Sequence, residues 1–235
     1  MVGDDERPPV EVTWSEEGVP FAPAYGDVYF SRSGAEQGDH VFVRGSHLPG
    51  RFTAGESVQV VETGLGLGVN LLAAVRALLA AGSGELSHAS VELHPLPPSR
   101  MEEVHRRLGG DAVTEAFLRA YPRLLEDGAA VLERGEVSVP LRLVVGHGAA
   151  ALRRLDVRAD AAFLDGFAPD RNPGLWCPEV YGELARLARP GATVATYTAA
   201  GAVRAGLDLA GFDVERLPGY GLKRHRLAGT RRREP

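Results

Sequence analysis

Apolar residues recur from Ser57 onward in two spacings, which predict alternating strands and helices. Short runs rich in β-branched residues predict strands at residues 58–62, 89–92, 161–164, 192–197, 212–217 and 222–228, and a hairpin formed by 129–133 and 137–145. Longer stretches with helical spacing predict helices at residues 69–81, 98–108, 113–125, 179–188 and 202–209. This alternation is typical of a mostly parallel sheet with helices on both faces.

The end of the chain departs from this alternation, because two strands follow each other directly. A short turn, Pro218-Gly-Tyr-Gly221, joins them, so one strand must run antiparallel. This order favours the α/β fold of class I methyltransferases that depend on S-adenosyl-L-methionine (SAM). In that fold a Rossmann-like, mostly parallel sheet of seven strands contains one antiparallel strand. It fits a dinucleotide-binding dehydrogenase less well. Residues 14–52 lack a helical period, so we expect a small β-containing cap at 1–56 and the methyltransferase domain at 57–235.

Composition narrows the class of protein. The sequence has 44% hydrophobic and 24% charged residues, as in ordinary globular proteins. One cysteine, Cys177, excludes an internal disulfide framework and is expected to be a small half-buried residue. No secretory signal is visible, and the longest apolar run, residues 69–81, is interrupted by Arg76 and shorter than the ~20 residues that span a bilayer. We expect a cytoplasmic protein with no membrane partner.

The net charge of −5 argues against nonspecific nucleic-acid binding, but the charge is unevenly distributed. Basic residues concentrate near the end of the chain, in Lys223-Arg224-His225-Arg226 and Arg231-Arg232-Arg233. Each group alone is explained by a solvated surface. Together they leave room for an RNA-facing side on an acidic protein.

A glycine-rich turn follows the first predicted strand and precedes a helix. Its sequence is Glu62-Thr-Gly64-Leu-Gly66-Leu-Gly68, which differs in spacing from the G-x-G-x-x-G of dinucleotide sites. The glycines let the backbone approach a ligand, and the helix N-terminus presents free N–H groups to it. The acid at Glu62 would repel a pyrophosphate but suits the cationic sulfonium and amino groups of SAM. We therefore expect Glu62, Gly64, Gly66 and Gly68 to bind the cofactor.

Two later strand ends extend this site. Glu92 ends the second strand, where a carboxylate can accept hydrogen bonds from both ribose hydroxyls; an exposed strand-end charge is the alternative. His147 follows the next strand, where many such enzymes carry an acid near the adenine. A neutral imidazole at His147 can also hydrogen-bond the base.

The stretch from Phe163 to Trp176 carries the candidate chemistry. A buried-strand run ends on Asp165, and Pro169 and Pro173 stiffen the loop that follows. Ligands of open α/β sheets lie beyond the carboxyl ends of the strands, so a reacting group would meet the carboxylate of Asp165 there. The alternative is an ordinary turn in which Asp165 caps the next helix.

These segments together resemble the methyltransferase of the MnmC/MnmD family, which completes the 5-methylaminomethyl group on the wobble uridine of certain tRNAs. The resemblance extends from about residue 14 to about residue 229. It rests on Gly26-Asp-Val-Tyr-Phe-Ser31, the glycine turn through Asn70, Glu92 with Pro95-Leu96, Phe163-Leu-Asp-Gly-Phe-Ala-Pro169, Asn172-Pro173 with Trp176, Ala195-Thr-Tyr-Thr198 and Gly219-Tyr-Gly-Leu-Lys-Arg224. Three positions depart from the family: His147 replaces an acid, Leu93 a lysine and Leu65 a phenylalanine.

The resemblance implies methyl transfer from SAM to the amine of 5-aminomethyl-uridine in the tRNA anticodon stem-loop. Asp165 is the expected catalytic residue, which orients the amine and helps to remove its proton. Tyr29 and Asn70 are expected to contact SAM, and Phe167 and Pro169 to hold the splayed-out uracil. Trp176 either stacks on that base or belongs to the core. The expected tRNA-phosphate ligands are Arg204, Lys223 and Arg224. No metal and no flavin domain are expected.

Two other interpretations of the function remain open. One is a SAM-dependent N-methyltransferase acting on a small amine or another macromolecule, and the other is a non-catalytic nucleotide-binding or scaffold protein. A metal enzyme is disfavoured, because the seven histidines show no H-E-x-x-H or Cys/His ligand spacing.

Overall fold

The computed structural model describes residues 11–30, 34–221 and 223–233. Ser31 and Leu222, which belong to the quoted motifs and to a predicted strand, lie outside the described residues, as does the segment before residue 11. The cap begins with a small antiparallel sheet of three strands in the order β1-β2-β3: β1 (Thr13–Trp14), β2 (Pro20–Ala22) and β3 (Asp27–Val28).

The cap contains the expected β-strands, but its second half is helical, which the lack of a helical period in residues 14–52 did not predict. It forms α1 (Gly34–Gly38), a π-helical turn (Asp39–Val43) and α2 (Leu48–Thr53). Segments of five or six residues are too short to display a helical period, and packing rather than intrinsic propensity stabilises them. Phe42 and Phe52 lie fully buried in the same core cluster as the helix that follows the first strand of the main sheet.

The main sheet contains eight strands among the described residues. They are β4 (Ser57–Thr63), β5 (Glu85–Glu92), β6 (Ala129–Arg134), β7 (Val137–Val145), β8 (Ala159–Leu164), β9 (Ala188–Thr196), β10 (Phe212–Pro218) and β11 (His225–Arg231). Their order is β10-β11-β9-β8-β4-β5-β7-β6. The strands β7, β5, β4, β8 and β9 are parallel, and β11 runs antiparallel between β9 and β10. The predicted α/β fold with its antiparallel strand is confirmed.

The eighth strand is the first arm of the predicted hairpin. β6 pairs antiparallel with β7 and extends the expected seven-stranded sheet at one edge. Other bounds also differ from the prediction: β9 begins at Ala188 rather than at residue 192, and β11 covers His225–Arg231 rather than 222–228. Sheet pairing with neighbours, which the apolar pattern does not record, decides these bounds.

Helices cover both faces of the sheet. They are α3 (Val69–Ala81), α4 (Pro98–Leu108), α5 (Ala112–Asp127), α6 (Gly148–Arg153), α7 (Pro178–Leu187) and α8 (Gly201–Leu209), of which only the short α6 was not predicted. One core cluster joins α3, α4 and α5 to one face, and a second joins α6, α7 and α8 to the other. Within the described part of the chain, no helix is both long and apolar enough to cross a bilayer.

The position of β4 explains where a ligand can enter. The chain leaves β4 toward β5 on one side and returns much later to pair β8 on the other side. The connections after these two strands therefore diverge at the carboxyl edge of the sheet. Such a switch point leaves a crevice in open α/β sheets.

Candidate active site

A cavity of about 480 Å³ lies at the carboxyl ends of β4, β5 and β8. This volume is within the usual range for small-molecule sites. Its lining comes from the segments that follow β4, β5, β7 and β8 and from Tyr25, Tyr29 and Phe30 of the cap. The predicted site residues in its walls are Tyr29, Gly64, Gly66, Asn70, Glu92, His147, Asp165 and Phe167.

The other predicted residues lie elsewhere. Glu62 is completely buried behind the cavity wall, and Gly68 packs on the ring of Phe117. Pro169 and Trp176 belong to the loop beside the cavity without lining it. The three predicted phosphate ligands, Arg204, Lys223 and Arg224, are exposed on the surface.

The glycine turn approaches the cavity with a backbone that other residues rarely adopt. Gly64, Gly66 and Gly68 have φ of 73°, 51° and 71°. A Cβ on Gly66 would lie 3.4 Å from the ring of Tyr29, so the cap closes directly over the turn. The absence of a side chain at Gly64 and Gly66 lets a ligand approach the backbone of the turn at these positions.

Glu92 holds the turn in place. Its Oε2 accepts a hydrogen bond from the backbone N–H of Gly66 at 2.9 Å, and its Oε1 accepts one from His94 N at 2.9 Å. Each carboxylate oxygen keeps further acceptor capacity. Glu92 can therefore fix the turn and still accept hydrogen bonds from a diol in the cavity.

Asp165 lies at the end of β8 and is held by backbone and side-chain donors. The N–H of Gly166 donates to its Oδ1 at 2.8 Å, and Nδ2 of Asn70 donates to its Oδ2 at 2.6 Å. Its main chain exchanges two hydrogen bonds with the hydroxyl of Thr63 at 2.7 and 2.9 Å. This double link ties the end of β8 to the end of β4.

The surroundings make Asp165 a weaker acid than an ordinary aspartate. Although part of its side chain faces the cavity, desolvation by the surrounding protein raises its pKa to about 7. The hydrogen bond from Asn70 opposes this increase, and the negative charges of Glu62 and Asp27 add to it. A carboxylate with a pKa near neutrality is suited to exchanging a proton at physiological pH.

A buried polar cluster lies behind Asp165. Glu62 Oε1 accepts a hydrogen bond from Asn70 Nδ2 at 2.9 Å, and Glu62 Oε2 contacts His88 Nε2 at 2.9 Å and Ser90 Oγ at 3.2 Å. His88 and Ser90 are buried on β5. Sequence reasoning missed both, although their alternate spacing along a strand places them on one face.

The cap clamps the loop that follows Asp165. The ring of Phe167 stacks on Tyr25 with centroids 4.3 Å apart and meets Tyr29 edge-on at 5.2 Å. Asp27 accepts a hydrogen bond from the backbone N–H of Ala168 at 2.8 Å. Sequence reasoning did not single out Tyr25 and included Asp27 only within the quoted motif Gly26–Ser31, because their roles depend on the tertiary contact with the loop.

Trp176 supports this loop from the core side. Only 9% of its surface is exposed, and its indole N–H donates to the carbonyl of Phe167 at 2.8 Å. Its ring meets Tyr197 edge-on at 6.0 Å, and the hydroxyl of Tyr197 donates to Gly166 O at 2.9 Å. The side chain of Trp176 therefore packs in the core, in agreement with the second of the two roles considered for it.

Tyr197 also links the loop to the basic surface. The ammonium of Lys223 lies over its ring, 5.4 Å from the centroid. Lys223, Arg224 and Arg204 are exposed, and no acidic side chain among the described residues forms an ion pair with them. Their charges are available to an external anion.

One cavity residue outside the predicted set has an unused polar atom. His94 lines the cavity, and its buried Nε2 has no hydrogen-bond partner. His94 follows Glu92 by two positions, and the bend after β5 turns both toward the same space. His147 lies at the exposed rim, where it precedes α6.

Comparisons with known proteins agree with this geometry. A family model described as "S-adenosyl-L-methionine-dependent methyltransferase" matches residues 109–232. The chain is 41% identical over 233 residues to the "tRNA 5-methylaminomethyl-2-thiouridine biosynthesis bifunctional protein MnmC" of Stutzerimonas stutzeri, covering 93% of this chain and 34% of that protein. It is 44% identical over 213 residues to the protein of the same name from Ralstonia nicotianae, covering 88% and 32%. The chain thus spans about a third of the length of these relatives.

A solved structure shows the same fold. The crystal structure of MNMC2 from Aquifex aeolicus superimposes with a TM-score of 0.71 at 22% sequence identity, covering 96% of this chain and 72% of that chain. At this level of identity the likeness concerns the fold alone.

Proposed function

The chain belongs to the S-adenosyl-L-methionine-dependent methyltransferase family, and on that premise we propose that it methylates the 5-aminomethyl group of the wobble uridine in tRNA. The relatives that carry the MnmC name are named for the biosynthesis of 5-methylaminomethyl-2-thiouridine, whose side chain this methylation would complete. The observation that carries the proposal is the position of Asp165, a carboxylate that follows β8 and lines the cavity, where burial raises its pKa to about 7. An amine acceptor requires such a group, because only its neutral form attacks.

The residues of the cavity fit SAM. The side-chain-free turn at Gly64 and Gly66 provides the close backbone approach, and Glu92 presents acceptors for the ribose hydroxyls. Tyr29 and Asn70 border the same space, and His147 lies at its rim. When bound, SAM supplies a methyl group activated by the sulfonium charge.

Asp165 acts on the acceptor. An alkylamine has a pKa of about 10 and is largely protonated at neutral pH. In our proposal the ionised carboxylate accepts a hydrogen bond from the amine, orients its lone pair and takes up the proton that the nitrogen loses. With SAM bound, methyl transfer would form a C–N bond in place of the C–S bond of SAM, and Asp165 would pass the proton of the nitrogen to solvent.

The acceptor side of the site is built by the loop and the cap. Phe167 stacks on Tyr25 and meets Tyr29 edge-on. In our proposal these rings offer an apolar surface to a base that has left its stack. Pro169 stiffens the outer part of this loop. Lys223, Arg224 and Arg204 are proposed to bind phosphates of the anticodon stem-loop, since their charges are unpaired.

The decisive experiment is nucleoside mass spectrometry of tRNA that carries 5-aminomethyl-uridine, after incubation with the protein and SAM. The gain of one methyl group on that nucleoside, absent without SAM, is the expected result. If SAM binds by calorimetry but the nucleoside gains nothing, the tRNA substrate is wrong. Methylation of free small amines under the same conditions would then support an N-methyltransferase with a different acceptor.

A further inference from the structure

Glu62 is a fully buried carboxylate that has no access to the cavity, although it begins the glycine turn. Its side chain is completely inaccessible, and it is not among the residues that line the cavity. Three side-chain groups surround its two oxygens: the carboxamide of Asn70, the imidazole of His88 and the hydroxyl of Ser90. A direct contact between Glu62 and a ligand in the cavity would require these partners to be displaced.

The same nitrogen that binds Glu62 also binds Asp165. Asn70 Nδ2 lies 2.9 Å from Glu62 Oε1 and 2.6 Å from Asp165 Oδ2. A carboxamide carries two N–H donors, so both hydrogen bonds form at once. Two carboxylates therefore share one bridging donor, with the buried one behind the one that faces the cavity.

We propose that Glu62 is a positioning residue for Asp165, acting through the carboxamide of Asn70 and through its own charge, and not a direct cofactor ligand. The proposal rests on the proposed function in taking Asp165 as the group that receives the proton of the acceptor. It assigns Asn70 a second role beside the cofactor contact that the resemblance implies. Glu62 thereby sets both the orientation of the Asp165 carboxylate and the pH at which it ionises.

The groups around the pair define what each one contributes. Asp165 faces Asn70 from α3 and lies near Glu62 from β4, with the charge of Asp27 contributed by the cap and the hydroxyl of Tyr197 bound to the adjoining Gly166 carbonyl. None of the named neighbours of Asp165 is a cation.

On the far side of Glu62, the hydrogen bond to His88 uses Nε2, and Nδ1 of that ring has no partner. A tautomer with its proton on Nε2 satisfies this arrangement, because it leaves no buried N–H donor unpaired. The ring then donates to Glu62 and fixes the orientation of its carboxylate.

The two neighbours of Asp165 act in opposite directions. The negative charge of Glu62 disfavours ionisation of Asp165, while the hydrogen bond from Asn70 favours it. Loss of general packing would not predict opposite effects from two adjacent residues. This opposition gives the experiment its readout.

The experiment is a ¹³C NMR titration of the free protein labelled at aspartate carboxyls, without tRNA. The signal of Asp165 is assigned by its loss in Asp165→Asn. Glu62→Gln is expected to lower the titration midpoint of Asp165 by roughly one pH unit, and Asn70→Ala to raise it. Glu136→Gln, which changes an exposed carboxylate in the turn between β6 and β7, is the matched control and should leave the midpoint unchanged.

Calorimetry with SAM separates the alternatives. In our proposal Glu62→Gln keeps its SAM dissociation constant within about threefold of the wild type. An unchanged midpoint in Glu62→Gln overturns the proposal, and so does a loss of SAM affinity beyond about threefold, whether or not the midpoint shifts. If Glu62→Gln does not fold, an unchanged midpoint in Asn70→Ala overturns it. Because no tRNA is present, a failure of the proposed substrate leaves this result intact.

Discussion

Gly64 and Asp165 are in such close contact that a side chain on Gly64 would crowd the backbone of Asp165. A Cβ on Gly64 would lie 3.1 Å from the carbonyl oxygen of Asp165. Gly64 directly follows β4, and Asp165 directly follows the neighbouring strand β8. The glycine turn, which is proposed to bind the cofactor, and the candidate base Asp165 therefore meet in one close backbone contact, here called the junction.

Gly64→Ala is expected to weaken SAM binding by at least about tenfold, because the new methyl group must push the Asp165 carbonyl away from the turn. Isothermal calorimetry measures the change. Gly82→Ala is the matched control: Gly82 has a similar φ of 67°, and a Cβ at this position would meet nothing within 4 Å. It should cost about 1 kcal/mol of stability and leave SAM affinity unchanged. Equal losses of affinity in both variants would contradict the junction.

Asp165→Asn is expected to lower kcat for methylation by at least about 100-fold, because the amide cannot take up a proton. SAM affinity should stay within about threefold of the wild type. Single-turnover transfer of a radiolabelled methyl group measures the rate. Asp156→Asn, at an exposed position, is the control. Wild-type turnover in Asp165→Asn would remove the carboxylate from the mechanism.

The raised pKa of Asp165 also predicts a pH-dependent stability. A carboxyl group whose pKa is about 7 in the folded state and about 4 in the unfolded state destabilises the fold increasingly as pH rises from 4 to 7. Relative to the wild type, Asp165→Asn should therefore gain stability over this interval, by about 2 kcal/mol after allowance for solvent screening. Urea unfolding at about pH 4.5 and at about pH 8, which together bracket most of that interval, measures the difference. A stability difference independent of pH would contradict the shifted pKa.

The basic surface predicts a salt-dependent tRNA affinity. Lys223→Ala and Arg224→Ala are each expected to weaken binding and to reduce the slope of log K against log salt by about one unit or less. Fluorescence anisotropy with a labelled anticodon stem-loop measures both quantities. Arg123→Ala serves as the control, because Arg123 pairs with Asp127 on α5. If Lys223→Ala and Arg224→Ala leave the slope as unaltered as the control does, the RNA contacts another surface.

Trp176→Phe tests whether the indole supports the loop. The substitution keeps an aromatic ring in the core but removes the hydrogen bond to the carbonyl of Phe167. We expect a loss of about 1–2 kcal/mol in stability, since a buried carbonyl loses its donor. Thermal unfolding measures this loss, and hydrogen exchange of Ala168 reports on the loop. A specific loss of tRNA affinity with full stability would instead favour stacking on the base.

Much of the fold follows from the sequence because strands and helices impose different periods on apolar residues. The helix at residues 69–81 was predicted with the observed bounds, and the strand that ends at Asp165 was placed correctly. The ends of β9 and β11 were not predicted correctly, since pairing with neighbouring strands extends these strands beyond their apolar runs. The short helices of the cap were not predicted either, because tertiary packing stabilises them and the local apolar pattern does not reveal them.

The meeting of the glycine turn, Glu92 and Asp165 at one edge of the sheet could be predicted from the amino-acid sequence, because parallel strands place their carboxyl ends together. The contacts of each group could not, because they depend on how the chain packs. It buried Glu62 behind Asn70, brought Asp27 and Tyr25 onto the loop of Phe167, and seated Trp176 in the core. These contacts join residues far apart in the chain, and hydrogen-bond geometry and desolvation depend on position in space, which no local spacing encodes.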